Sequence, residues 1–158
     1  MTPRTTLLDR EVGQAMSDLS AAAKRGLGDP ALAELVMIRA SQLNHCAFCL
    51  DMHLTITRKQ GVDERQLGLL AAREEAEGVF DERERAALAL TEAVTVLAGG
   101  ASRASGSGAG HVPDEVYEEA ARHFDEVRLA CLIALIVAIN NWNRVMVARR
   151  IPPGGYTP

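Results

Sequence analysis

The stretch that decides the fold is ELVMIRASQLNHCAFCLDMH, residues 34–53. On a helix with about 100° per residue, positions 46, 49 and 53 lie at 0°, about 300° and about 340°. The thiols of Cys46 and Cys49 and the imidazole of His53 therefore share one helical face. Asn44 is a candidate N-cap, which would place Cys46 in the first turn, where the helix dipole lowers a thiol pKa. Because a cysteine does redox work as thiolate, we interpret this stretch as a dithiol active site.

Glu34 lies in a segment, residues 31–42, that is apolar on most sides and predicts a buried helix. Two interpretations of this carboxylate are open. Either it occupies the one solvated strip of the helix, or it sits in an apolar setting with its pKa raised toward the range of proton exchange near neutral pH. On the second interpretation Glu34 receives a proton that His53 takes from Cys49, or orients the imidazole.

The rest of the chain predicts one helix after another, and no strand pattern or internal repeat stands out. The predicted helices cover residues 6–24 and 31–42, the motif segment up to Gly61, and residues 63–75, 81–97, 114–123 and 126–150. Asp29, Asp81 and Asp125 are start signals, and Asp81 with Glu84 predicts a capping box. Residues 99–111 are rich in Gly and Ser and predict a flexible surface loop. We therefore predict an all-α fold, a helical bundle of six to seven helices forming a single domain over residues 1–158.

Composition narrows the functional classes. The chain carries 17 Lys and Arg against 21 Asp and Glu, a net charge of −4, which argues against a nucleic-acid partner. The longest apolar run, residues 129–139, is about half the length that crosses a bilayer, and the first residues are charged where a signal peptide is apolar. We therefore expect no membrane partner and a cytoplasmic location. Three cysteines make a poor disulfide framework, whereas C-x-x-C in a cytosolic chain indicates redox chemistry or metal.

The last predicted helix combines an apolar half with a polar one. Residues 129–139 are apolar on every face, so they predict a central core element, a surface that packs against other subunits, or both, which we favour. The sequence NNWNR, residues 140–144, follows. Its amides either contact neighbouring backbone or a partner subunit, or they form a pocket wall over the thiols.

Taken together, these residues resemble the signature of the alkylhydroperoxidase D-like proteins in the carboxymuconolactone decarboxylase superfamily. The resemblance lies in the spacing from Glu34 to the C-x-x-C pair and His53, and in SQLNHCAFCLDMH (41–53), DERERAALA (81–89) and INNWNR (139–144). It implies an all-helical subunit, a homo-oligomer built from trimers or a hexamer, and thiol-dependent peroxidase or disulfide reductase activity. It also implies that Cys49 attacks the peroxide, that Cys46 resolves the product, and that Glu34 and His53 form the proton relay.

The expected partners are a hydroperoxide substrate and an external thiol or dithiol reductant protein. No Gly-x-Gly-x-x-Gly follows a strand, so no cofactor is expected to re-reduce the disulfide. Phe48 takes the place of a histidine that lies between the cysteines in the founding member, so a low peroxidase rate is expected. We interpret His45 as a loop or cap residue and Cys131 as an inert core residue.

Two alternatives from other classes remain open. Cys46, Cys49, His53 and Glu34 are four possible zinc ligands, although the spacing of the first three along one straight helix spreads them over about 10 Å. The other alternative is a non-redox enzyme like the decarboxylase branch of the superfamily, or an oligomeric binding module, in which the cysteine pair is idle.

Overall fold

The computed structural model describes residues 2–4, 8–97, 111–154 and 156. Within these ranges it has seven α-helices and no strand, which confirms the all-α prediction. Most of the predicted Gly/Ser-rich loop, residues 99–110, lies outside the described residues. The helices are α1 Arg10–Leu27, α2 Pro30–Leu43, α3 Ala47–Lys59, α4 Glu64–Leu69, α5 Glu82–Thr95, α6 Asp114–His123 and α7 Glu126–Arg149, with a 3₁₀ turn at Leu70–Ala72.

Aspartates at the helix starts explain most of these boundaries. An aspartate side chain accepts a backbone N–H of the first turn at α1, α2, α4, α5 and α7, and at α5 Asp81 and Glu84 complete the predicted capping box. Because Asp9 is the cap of α1, that helix begins at Arg10 and not at residue 6 as predicted. The helix predicted over residues 63–75 is shorter, since the chain passes into the 3₁₀ turn after Leu69.

The long helix α7 forms the centre of the core, as its apolar half predicted. It packs along α1 and also contacts α2 and α5. Leu132, Leu135 and Ile136 have no exposed surface and pack against α1, α2, α5 and α6 in one continuous apolar cluster. A second apolar cluster joins α2 to the region of α3, α4 and the start of α5. Helix α2 takes part in both clusters, packs against α7 and α3, and leads into the α2–α3 connection that carries Cys46.

Residues 126–149 are long and apolar enough, by length and composition, to meet the usual criterion for a membrane-spanning helix. The apolar run of residues 129–139, taken alone, was too short to predict a membrane-spanning helix. A core helix of a globular bundle meets the same criterion, and α7 lies among five other helices here.

Candidate active site

The two cysteines occupy the first turn of α3. Cys46 is itself the N-cap, with extended backbone (φ −87°, ψ 92°), and the backbone N–H of Cys49 donates to its Sγ at 3.4 Å. The prediction that Asn44 caps this helix is wrong, because Asn44 ends α2 and its side chain turns toward α7. The consequence foreseen for the thiols still holds, since the sulfur of Cys46 lies directly at the positive end of the helix.

The two thiols behave as one acid. The hydrogen bond from the Cys49 side chain is the largest influence on the pKa of Cys46 and lowers it to about 7. The same hydrogen bond, together with burial, raises the pKa of Cys49. Backbone N–H groups of Phe48 and Cys49 also lower the pKa of Cys46, so the first ionisation of the pair, near pH 7, is favoured at Cys46. The resemblance assigned the attack to Cys49, so the lower pKa and the expected attacking role fall on different sulfurs.

The side-chain amides of Asn44, Asn140 and Asn143 form a hydrogen-bond network beside the cysteines that the sequence predicted only in part. Asn143 has no exposed surface, and its Nδ2 donates to the Ser41 hydroxyl at 3.0 Å. That hydroxyl donates to the Met37 carbonyl, so it can only accept from Asn143. The side chain of Asn44 donates to the oxygens of both Asn143 and Asn140 at 2.9 Å. These bonds fix the Asn143 amide with its nitrogen side, and not its oxygen, available to a further acceptor.

That further acceptor is the thiol pair, because a hydrogen bond from the Asn143 side chain lowers the pKa of Cys46 and of Cys49. Both interpretations of the NNWNR segment are therefore partly correct: the Asn140 amide donates to the backbone carbonyl of Ile136, and Trp142 lines the same cavity as Cys49. Asn143 is a site residue that the sequence pattern alone did not single out, because only its position in a polar patch after an apolar run distinguished it.

Glu34 and His53 meet as predicted. Glu34 is 2% exposed and His53 4%, and Oε2 of the carboxylate lies 2.8 Å from Nδ1 of the imidazole. The other oxygen of Glu34, Oε1, accepts from Lys24 Nζ at 2.8 Å. Burial is the largest influence on the Glu34 carboxyl and raises its pKa, but the bonds from His53 and Lys24 outweigh it, so the pKa lies below its ordinary value. The expectation of a raised pKa is wrong for this reason.

An apolar cavity of about 490 Å³ opens onto this group of residues. Cys49 and His53 line it, whereas Cys46 does not, so Cys49 is the sulfur that a molecule in the cavity would meet. The other walls come from α1, α2, α3 and α7 and are mostly apolar: Ser17, Ser20, Ala21, Lys24, Met37, Phe48, Met52, Ile56, Ile139, Trp142 and Met146.

The remaining candidates lie apart from this site. His45 is an exposed loop residue with φ 54°, in agreement with its interpretation as a loop histidine. Cys131 is half-buried and packs against Gly26 of α1, away from the paired thiols. Among the residues that the structure describes, no three His, Cys, Asp or Glu side chains are placed to hold a metal ion.

The chain belongs to the carboxymuconolactone decarboxylase family. Residues 10–93 match the family model described as "Carboxymuconolactone decarboxylase family". The uncharacterized protein YdfG of Bacillus subtilis (strain 168) is 35% identical over 133 residues, which are 84% of this chain and 83% of that protein.

Within this family the chain is alkylhydroperoxidase D-like. A protein of unknown function from Agrobacterium tumefaciens, provisionally identified as an antioxidant defence protein AhpD, superposes with a TM-score of 0.81 at 30% identity over 94% of both chains. An uncharacterized peroxidase-related protein from Silicibacter sp. TM1040 shares the fold with a TM-score of 0.69 at 20% identity, over 93% of this chain and 72% of that one.

Proposed function

We propose that the protein is a thiol-dependent peroxidase or disulfide oxidoreductase that reduces hydroperoxides through Cys46 and Cys49, with Glu34 and His53 as the proton relay. The observation that carries this proposal is a convergence of four groups at one cavity. Cys49 and His53 line the cavity, the sulfur of Cys46 accepts from the backbone N–H of Cys49 at 3.4 Å, and a buried carboxylate holds His53 at 2.8 Å. The family membership and the AhpD-like relative support the same class of activity.

The residues account for each step of a peroxide reduction. His53 takes the one proton that the thiol pair loses, and the remaining proton passes from Cys49 to Cys46 along their shared hydrogen bond, leaving a Cys49 thiolate at the cavity. The thiolate attacks the outer oxygen of the hydroperoxide, the O–O bond breaks, and the leaving alkoxide takes the proton from His53 to become an alcohol. Cys49 is then a sulfenic acid, which condenses with the Cys46 thiol to a disulfide and water.

An external thiol or dithiol protein must close the cycle, because the thiol pair has given two electrons to the peroxide and the disulfide returns to two thiols only when a donor supplies two electrons. The donor dithiol is oxidised as the Cys46–Cys49 pair is reduced. We place this reaction in the cytoplasm, where such donors keep cysteines reduced.

We also propose that the protein works as a homo-oligomer, a trimer or a hexamer. One side of α7 is apolar and yet lacks a partner within the described chain. Val127 is 69% exposed and Val137 42%, with Ala130 and Ala134 between them on the same side of the helix. Light scattering of the native protein and of Val137→Glu tests this assembly: a native monomer, or an unchanged oligomer in the variant, would contradict the use of this surface.

The function is tested by peroxide consumption with a panel of thiol reductants. Cys49→Ser should abolish consumption, whereas Cys46→Ser should permit one stoichiometric oxidation without turnover. Cys131→Ser is the matched control, because Cys131 lies away from the cavity, and it should keep native activity. Native turnover in either Cys49→Ser or Cys46→Ser would contradict the proposed roles and would favour the non-redox alternative within the family.

A further inference from the structure

We propose that Lys24 is a positioning residue of the relay, whose ammonium group balances the charge of Glu34 so that His53 remains a neutral base beside Cys49. This inference rests on the proposed function, because it assigns a role within the same site. Neither the sequence motif nor its spacing includes Lys24, which lies ten residues before Glu34 in a different helix.

The geometry is a linear chain of three groups through one carboxylate. Lys24 Nζ and His53 Nδ1 each lie 2.8 Å from a different oxygen of Glu34. The carboxylate and the imidazole are buried, whereas the Lys24 side chain is 36% exposed. Lys24 therefore connects the buried Glu34–His53 pair to the solvent-exposed surface of the protein.

Charge balance in the buried pair decides the state of the imidazole. Without a third group, a buried carboxylate beside a histidine is best neutralised by an imidazolium, because an isolated buried charge is costly. With Lys24 on its other oxygen, Glu34 is already neutralised. A second proton on His53 would then leave an excess positive charge in the buried site, so the neutral imidazole is favoured.

Neutral His53 also has a defined tautomer here. An ionised carboxylate only accepts hydrogen bonds, so Nδ1 must carry the proton and donate it to Glu34. The other ring nitrogen, Nε2, is then left with a free lone pair. Since His53 lines the same cavity as Cys49, this is the nitrogen that can take a thiol proton.

Among the charged groups near Glu34 and His53, Lys24 is the cation that contacts the pair directly. A second cavity of about 330 Å³ reaches Glu34 from the other side, and Lys24 lines both cavities. The titratable and charged groups that face the relay are Lys24 and Arg25 from α1, Glu34 from α2, and Cys46, Cys49 and His53 from the start and body of α3. Helix α7 contributes only apolar side chains to the cavity, Ile139, Trp142 and Met146.

Nitrogen NMR of histidine-labelled protein at pH 7.5 tests the proposal without any peroxide, in a Cys46→Ser/Cys49→Ser background where no thiol proton can pass to His53. In this background His53 should be a neutral imidazole protonated on Nδ1 with Lys24 or with Lys24→Arg, and an imidazolium with Lys24→Met. Arg25→Met is the matched control, since Arg25 is the exposed neighbour that lines the second cavity, and it should leave His53 neutral. An imidazolium with Lys24 in place, or a neutral His53 with Lys24→Met, would overturn the proposal.

A second readout is the pH profile of a single oxidation by tert-butyl hydroperoxide without reductant. Its acidic limb should move to higher pH in Lys24→Met, and not in Lys24→Arg or Arg25→Met. If Lys24→Met does not fold by circular dichroism, Lys24→Gln takes its place. A native protein that no hydroperoxide oxidises would refute the proposed function, while the NMR result would still decide the role of Lys24.

Discussion

The sharpest consequence of the amide network concerns Asn143. Replacing it by leucine, which has nearly the same size, removes the side-chain N–H that faces both sulfurs and should raise the pKa of the thiol pair. A hydrogen bond to a charged group contributes about 1.5–3 kcal/mol, and one pKa unit corresponds to about 1.4 kcal/mol. The first ionisation should therefore move from about 7 in the native protein to a value higher by about one to two units.

The assay is the rate of alkylation by iodoacetamide as a function of pH. The ultraviolet absorbance of the thiolate, measured over the same pH range, gives the pKa independently. At pH 7 the thiolate fraction, and with it the rate, should fall about 5- to 50-fold. Asn141→Leu is the matched control, because Asn141 is the exposed neighbour on α7 and should leave the profile unchanged.

The same substitution has a structural cost that must be separated from the effect on the thiols. Asn44 loses one of its two acceptors but keeps Asn140, and Ser41 keeps its bond to the Met37 carbonyl. The loss of the buried bonds should lower the free energy of unfolding by about 1–3 kcal/mol, measurable by urea denaturation. A folded Asn143→Leu protein with the native pKa would refute the role assigned to this amide.

Three further predictions follow from other parts of the structure. His53→Gln should slow the single oxidation by hydroperoxide about 100-fold or more, measured by stopped flow, and an equal rate would remove His53 from the relay. The pKa values of Glu34 and Glu92 lie below their ordinary values, so both carboxylates stabilise the fold above pH about 4.5, and this contribution is lost as the pH falls below it. The melting temperature should therefore drop below pH about 4.5, and it should drop less steeply in Glu92→Gln. Native and Glu92→Gln proteins whose melting temperatures fall in parallel with pH would contradict this. Gly26→Ala should lower the free energy of unfolding by about 1–2 kcal/mol, because its Cβ would overlap the sulfur of Cys131; Cys131→Ala should recover part of this loss, and a Gly26→Ala protein as stable as the native one would contradict the close packing.

Local signals predicted the helices well where their physical cause is local. The aspartates at positions 29, 81 and 125 were expected to start helices, and each accepts a backbone N–H of the first turn. Asn44 shows the limit of such signals. It is a better capping residue than Cys46, yet its side chain bonds Asn140 and Asn143, nearly a hundred residues away, and Cys46 caps the helix in its place. Only the tertiary position of α7 could reveal this.

In the candidate site, too, the contacts within the motif were predicted, and the contacts made by more distant parts of the chain were not. The spacing of Glu34 and His53 was sufficient to predict that they meet, and they do, at 2.8 Å. The direction of the Glu34 pKa could not be predicted, because it depends on whether the bonds from His53 and Lys24 together outweigh burial, and Lys24 comes from a preceding helix with no fixed spacing to the motif. The role of Asn143 was hidden for a similar reason: its donor faces the sulfurs only because two other side chains fix the amide.

The central claim, that Cys46 and Cys49 form a redox couple, is tested most directly by mass spectrometry of the reduced protein after one equivalent of an organic hydroperoxide. The protein should lose two hydrogen atoms and contain one disulfide, between Cys46 and Cys49, with Cys131 still a free thiol. A protein that shows no such disulfide, whether because it is unoxidised or because Cys49 has advanced to a sulfinic acid, would contradict the central claim.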